Sequence, residues 1–224
     1  MKWVRDTTGR FSRRPYYEQA YLDEKCESLL VEFLQDLYGQ VTVPVPTGAL
    51  QKLIERDARE LDVYADLSSE GEGIHGVTYF NPPQKPTVRI ARELFVETWR
   101  VHRLRSTLAH EYAHVRIHAP LYNRAGTAKS ENHRCKDEEI ESSNRKVDWM
   151  EWQASYAAGA LLMPISRLRQ TAEACLGVDV RSTVSSSSQR AMDLKQRVSE
   201  AFIVSLDAAA VRLSQLGYLS AEPN

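Results

Sequence analysis

The run Thr107–His114, T-L-A-H-E-Y-A-H, contains an H-E-x-x-H motif as His110, Glu111 and His114. On a helix, positions i and i+4 lie on one face, so two imidazoles at this spacing can bind a single metal ion. Glu111 stands beside them and can take a proton from a metal-bound water. Zinc suits such a donor set, because it accepts neutral imidazole and carboxylate and lowers the pKa of a coordinated water toward about 7. A chance match to this motif in a chain of this composition is on the order of one per cent. The motif also sits among the apolar positions Leu104, Leu108, Ala109, Tyr112, Val115 and Ile117, so it belongs to a helix and not to a loop. The plain alternative is a pair of surface histidines flanking a salt-bridging glutamate.

Two histidines and a water leave a tetrahedral site unfinished, and a third protein ligand is required. The extended pattern H-E-x-x-H-x-x-G-x-x-H is excluded, since Ile117 and Pro120 occupy its glycine and final histidine positions. The other common arrangement takes a glutamate from a following helix. The next apolar segment, Trp149 to Met163, opens with Glu151, a lone acid whose burial would demand a partner. Glu138, Glu139, Glu141 and Asp148 are competing donors in or beside a charged stretch, where a solvated role suits them better.

Around this centre the chain reads as α+β. Tyr21 to Tyr38 is expected to be a helix stopped by Gly39. A second helix, capped by Thr47, carries the stripe Leu50, Leu53, Ile54, Ala58 and Leu61. Ile74 to Phe80 and Thr87 to Ile90 alternate and flank the turn-rich NPPQKP, which predicts two antiparallel strands. The strand Thr87 to Ile90 is expected at a sheet edge, where it could hold an extended peptide. Pro120 is expected to end the metal helix, Asn123 to Asp148 to form a long surface loop, and Pro164 to stop the following helix.

The segments TLAHEYAHVRIH (Thr107 to His118) and EWQASYAAGALLMP (Glu151 to Pro164) together resemble the ImmA/IrrE family of metallopeptidase domains. That family carries H-E-x-x-H with a further histidine one turn on, then a helix of the type E-x-[E/Q]-A-N-x-F-A-x-x-L-L-M-P. The upstream order of two helices and a hairpin (HGVTYF, TVRIA) is similar too, and the resemblance spans about residues 15 to 165. It implies a compact zincin-like domain with His110, His114 and Glu151 as zinc ligands and Glu111 as base. It also implies regulated cleavage of one protein partner, often a helix-turn-helix repressor. Ser155, Ala157 and Arg116 depart from the usual residues, without removing a ligand. Residues 166–189 would be a linker, and 190–224 a small helical segment resembling the winged-helix-like appendage of the family.

His118 matches the family's extra histidine. It reads as a helix-end packing residue, with a role supporting the ligands or facing the substrate as the alternative. Tyr112 and Tyr156 are core aromatics by spacing, and candidates to donate to an oxyanion. His133 and Cys135 lack a partner pair and read as surface residues.

Lys plus Arg total 29 against 30 for Asp plus Glu, a net charge of -1 that offers no general attraction to nucleic acid or anionic membrane. Cys26, Cys135 and Cys175 form no CxxC pair, which suits a reducing compartment. Met1 to Pro15 is basic and lacks the apolar core of a signal peptide. Ala154 to Pro164 is far shorter than the roughly 20 residues of a membrane helix. Together with the H-E-x-x-H motif and what the family resemblance implies, these features predict a cytoplasmic zinc metallopeptidase acting on a protein substrate. The rivals are a non-catalytic zinc-binding regulator of a transcription partner, and a toxin-like member of a two-protein module.

Overall fold

The computed structural model describes residues 1–125, 131–136, 148–177 and 183–220, with backbone alone at 125 and 131–136. The chain opens with an antiparallel hairpin of β1 (Lys2–Arg5) and β2 (Arg13–Tyr16). Helix α1 (Gln19–Tyr38) follows and buries Leu22, Cys26, Leu30, Phe33 and Leu34 at helical spacing. It ends as expected at Gly39, whose left-handed backbone (φ 70°) lets its N–H reach the Gln35 carbonyl.

Helix α2 (Thr47–Asp57) is capped at Pro46 and not by the Thr47 side chain, which instead accepts a hydrogen bond from Arg105. It also stops short of Leu61. The following residues form strand β3 (Glu60–Ala65), which pairs parallel with β5 (Thr87–Ala91). Strand β4 (Ile74–Phe80) pairs antiparallel with β5 on one side and with β6 (Glu131–Lys136) on the other. The sheet order is therefore β3-β5-β4-β6. This corrects two expectations. Thr87 to Ile90 is an interior strand, because β3 occupies the edge it was expected to expose, and the segment 123–148 is not all loop, because β6 lies within it. Residues 126–130 and 137–147 of that segment lie outside the described residues.

After the short α3 (Glu93–Val96), helix α4 (Val101–Ala113) carries His110 and Glu111 of the motif against the sheet, and His114 opens the turn that follows. The helix does not stop at Pro120. One π-helical turn, His114–His118, leads directly into α5 (Ala119–Ala125), and the Ala119 N–H bonds back to the His114 carbonyl. Pro120 falls in the first turn after this widened turn, where a missing N–H costs little.

Helix α6 (Trp149–Leu162) packs between α1 and α4. Asp148 caps it by accepting from the Met150 N–H at 2.9 Å, and pairs with Arg10. Ala154, Ala157, Ala158 and Ala160 are buried along it, so small side chains let the neighbouring helices approach closely. Helix α7 (Ile165–Leu176) fills the start of the stretch expected as a linker. Beyond it lie β7 (Val184–Ser185), α8 (Gln189–Phe202), α9 (Leu206–Gln215) and β8 (Leu219–Ser220), with β7 and β8 paired in parallel.

Leu168, Leu194, Val198, Phe202 and Leu213 join the same apolar core as α1, α2, α4 and α6. Two buried arginines fasten this C-terminal region. Arg105 donates to the carbonyls of Val45 (2.6 Å), Ile203 (3.0 Å) and Phe202 (3.1 Å). Arg212 donates to Asp23 at 2.6 Å. The architecture is an α+β zincin-like fold with a helical C-terminal region. Among the described residues no helix is long and apolar enough to cross a membrane.

Candidate metal centre

Helix α4 is buried along the whole stretch from Thr107 to Ala113, and this sets the environment of the motif. His110 and His114 stand one turn apart with their Nε2 atoms 3.1 Å from each other. Glu151, in the first turn of α6, places Oε2 3.1 Å from the His110 Nε2 and 3.5 Å from the His114 Nε2. One ligand atom from each of the three lies within 4.8 Å of the others. Tetrahedral ligands at about 2.0–2.1 Å from zinc stand about 3.3–3.4 Å apart. Three electron-pair donors converging at that spacing fit a cation, which relieves their mutual repulsion.

Glu111 is turned toward the sheet and is completely buried. Its Oε2 accepts a short hydrogen bond from the Thr78 hydroxyl, while Oε1 has no hydrogen-bond partner among the described residues. Burial pushes this carboxyl up to about 7, against the opposing effects of His110 and Thr78 and with a smaller push from Glu151. A carboxyl poised there can both accept and return a proton near neutrality.

The close approach of β4 to α4 depends on Gly76, which shares a strand face with Thr78. A Cβ at Gly76 would sit 2.7 Å from the Glu111 Oε1 and 2.7 Å from the Thr107 Cγ2. Sequence reasoning singled out neither Gly76 nor Thr78. A glycine inside an otherwise alternating strand is a known mark of close backbone approach, so a signal was present.

His118 lies behind His114, with its Nδ1 3.0 Å from the His114 Nδ1 and its Nε2 3.1 Å from the Gln153 Oε1. Gln153 was also missed, although it is a lone amide on an apolar helix two residues after Glu151. The two tyrosines point elsewhere. The Tyr112 hydroxyl donates to Asp57 at 2.8 Å on the far side of α4, and burial raises its pKa. Tyr156 donates to Asp23 at 2.9 Å beneath Arg212, and burial is the chief cause that pushes it up to about 12. Asp148 is taken up in capping α6. Glu138, Glu139 and Glu141 lie outside the described residues. His133 and Cys135 fall on β6, where the backbone alone is described.

Residues 68–214 match the model of a peptidase family described as the IrrE N-terminal-like domain, and the chain belongs to that family. The matched span runs from just before β4 through α9, so it holds the motif, the site glutamate and the C-terminal helices. Membership makes this a peptidase-family protein, whose class of substrate is protein or peptide. No curated protein matches the chain.

Proposed function

We propose that the protein is a zinc metallopeptidase that hydrolyses a peptide bond in a specific protein partner, with a helix-turn-helix repressor as the partner class. The observation that carries this reading is the convergence of His110, His114 and Glu151 beside the buried Glu111 carboxyl. His110, His114 and Glu151 would hold the metal. Bound there, zinc would supply an acidic water and polarise a substrate carbonyl. Glu111 would take the proton of the attacking water and deliver it to the leaving amine, held for that task by Thr78. Among the described residues strand β6 is the sheet edge next to β4, where an extended peptide could add as a further strand. Residues 15–165 would carry the chemistry, and the helices of 190–224 would brace it through Arg105 and Arg212. The family resemblance points to the repressor partner, and the lack of a CxxC pair among Cys26, Cys135 and Cys175 suits a reducing, cytoplasmic setting.

A second reading, a zinc-binding regulator without catalysis, draws on the complete burial of Glu111. Two measurements test these readings, and the second separates them. Elemental analysis should find about one zinc per wild-type chain, and a sharp loss in Glu151→Ala. Glu111→Gln should keep the zinc and lose cleavage of the partner. Cleavage at the wild-type rate by Glu111→Gln would overturn the enzyme mechanism, and the absence of zinc from wild type after zinc is offered would overturn both readings.

A further inference from the structure

A histidine that binds metal through Nε2 must hold its proton on Nδ1, and something behind the ring must make that choice. Here the choice can be followed backward atom by atom. The Pro15 carbonyl, on β2, can only accept, and the Gln153 Nε2 donates to it at 3.0 Å. That bond fixes the orientation of the Gln153 amide, so its Oε1 faces His118. Facing an acceptor at 3.1 Å, the His118 Nε2 must be the protonated nitrogen. With His118 uncharged, its Nδ1 offers a lone pair 3.0 Å from the His114 Nδ1, and the His114 Nδ1 then carries the proton. What remains is a lone pair on the His114 Nε2, directed at His110 and Glu151.

The start of this chain of bonds is firmly seated. Arg14, beside Pro15, lies over the Trp149 ring at 5.1 Å, and Phe11 meets the edges of Tyr122 and Trp149. Arg10 pairs with Asp148, and the His118 ring abuts Trp149 at 5.7 Å between centroids. The N-terminal hairpin, the start of α6 and His118 thus form one packed unit. Pro15 also precedes residues 68–214, so the unit reaches outside the span that matches the family model.

We propose that the hairpin carbonyl of Pro15, acting through Gln153 and His118, sets the tautomer of His114 and so prepares the metal centre for its ion. His118 and Gln153 are positioning residues. The inference rests on His114 being a metal ligand. It gives the hairpin a task at the site: if the hairpin lifts, the Gln153 amide is free to rotate, and His118 and His114 lose their preferred tautomers together.

The test compares wild type, Gln153→Leu, Gln153→Glu and Tyr156→Phe in the full chain. Zinc affinity is read by chelator competition, and histidine tautomers by long-range proton–nitrogen spectra of the metal-free protein. Gln153→Leu removes the acceptor that faces His118. It should weaken zinc by about tenfold or more and mix the His114 tautomers. Gln153→Glu keeps an acceptor toward His118 but loses the amide N–H held by the Pro15 carbonyl, so it should weaken zinc as well, and wild-type affinity in it overturns the role of Pro15. Tyr156→Phe deletes a different buried hydrogen bond on α6 and should leave zinc affinity unchanged. Equal affinity and unchanged tautomers in Gln153→Leu, with zinc bound by wild type, overturn the inference while the metal reading stands. A loss shared by Tyr156→Phe shows general damage to α6 and also overturns it. No zinc binding by wild type overturns the metal reading itself.

Discussion

Replacing Gly76 with alanine tests whether the fold truly presses a bare backbone against Glu111. The added methyl would lie 2.7 Å from Oε1 and 2.9 Å from Cγ of Glu111, and 2.7 Å from the Thr107 Cγ2. Ordinary contacts begin near about 3.5 Å, so three atoms would have to move by well over half an ångström in a packed interior. Overpacking of this kind costs about 1–3 kcal/mol. For a chain of this size each kcal/mol moves the melting temperature by about 2–4 °C. Gly48, in the first turn of α2, supplies the control, because a Cβ there meets nothing within 4 Å. Gly48→Ala should be neutral or stabilising by up to about 1 kcal/mol. The melting temperature followed by circular dichroism should thus fall for Gly76→Ala and hold or rise for Gly48→Ala. A Gly76→Ala protein that melts with Gly48→Ala or above it would refute the close packing of β4 on the metal helix.

Thr78→Val should leave zinc content unchanged while slowing cleavage of the partner by about ten- to a hundredfold, the worth of a hydrogen bond to a charged group; Thr78→Ser should restore most of the rate. Asp23→Ala strands the buried Arg212 guanidinium and should cost about 3–5 kcal/mol in urea unfolding, with part recovered when Arg212→Met is added. Asp57 is partly buried, yet hydrogen bonds from Arg56 and Tyr112 outweigh that burial and hold its carboxyl below the usual range. A lowered folded pKa stabilises the fold above the unfolded value of about 3.9 and ceases to do so as pH falls through the folded value. Unfolding midpoints should therefore drop more steeply below about pH 4 in wild type than in Asp57→Asn, and parallel curves would count against this account.

What could be read along the chain was what local chemistry decides. The helix ending at Gly39, the metal helix, the helix closed before Pro164 and the Ile74 to Phe80 strand each follow from periodicity plus a nearby stop residue. The three residues that converge on one point were legible for the same reason, since i, i+4 spacing and a lone acid on an apolar helix are local facts. The position of β5 was not, because it depends on β3, a half-buried run whose alternation is weak and whose partner lies more than twenty residues away. The continuation past Pro120 depends on a π turn that no residue preference announces. Gly76, Thr78 and Gln153 matter through contacts across the sheet or between helices, and His118 through the direction of its ring. Each of these is settled by packing between elements.

Arg105 sits on the metal helix five residues before His110, and its guanidinium gathers carbonyls from residues 45, 202 and 203. Peeling α8 and α9 away would strand those N–H groups in apolar surroundings, so the C-terminal helices and the metal helix open as one cooperative unit. An ion that binds only the closed form then protects the distant α8–α9 junction as well as its own ligands. Amide exchange at Phe202 and Ile203 becomes a remote gauge of occupancy at His110, His114 and Glu151.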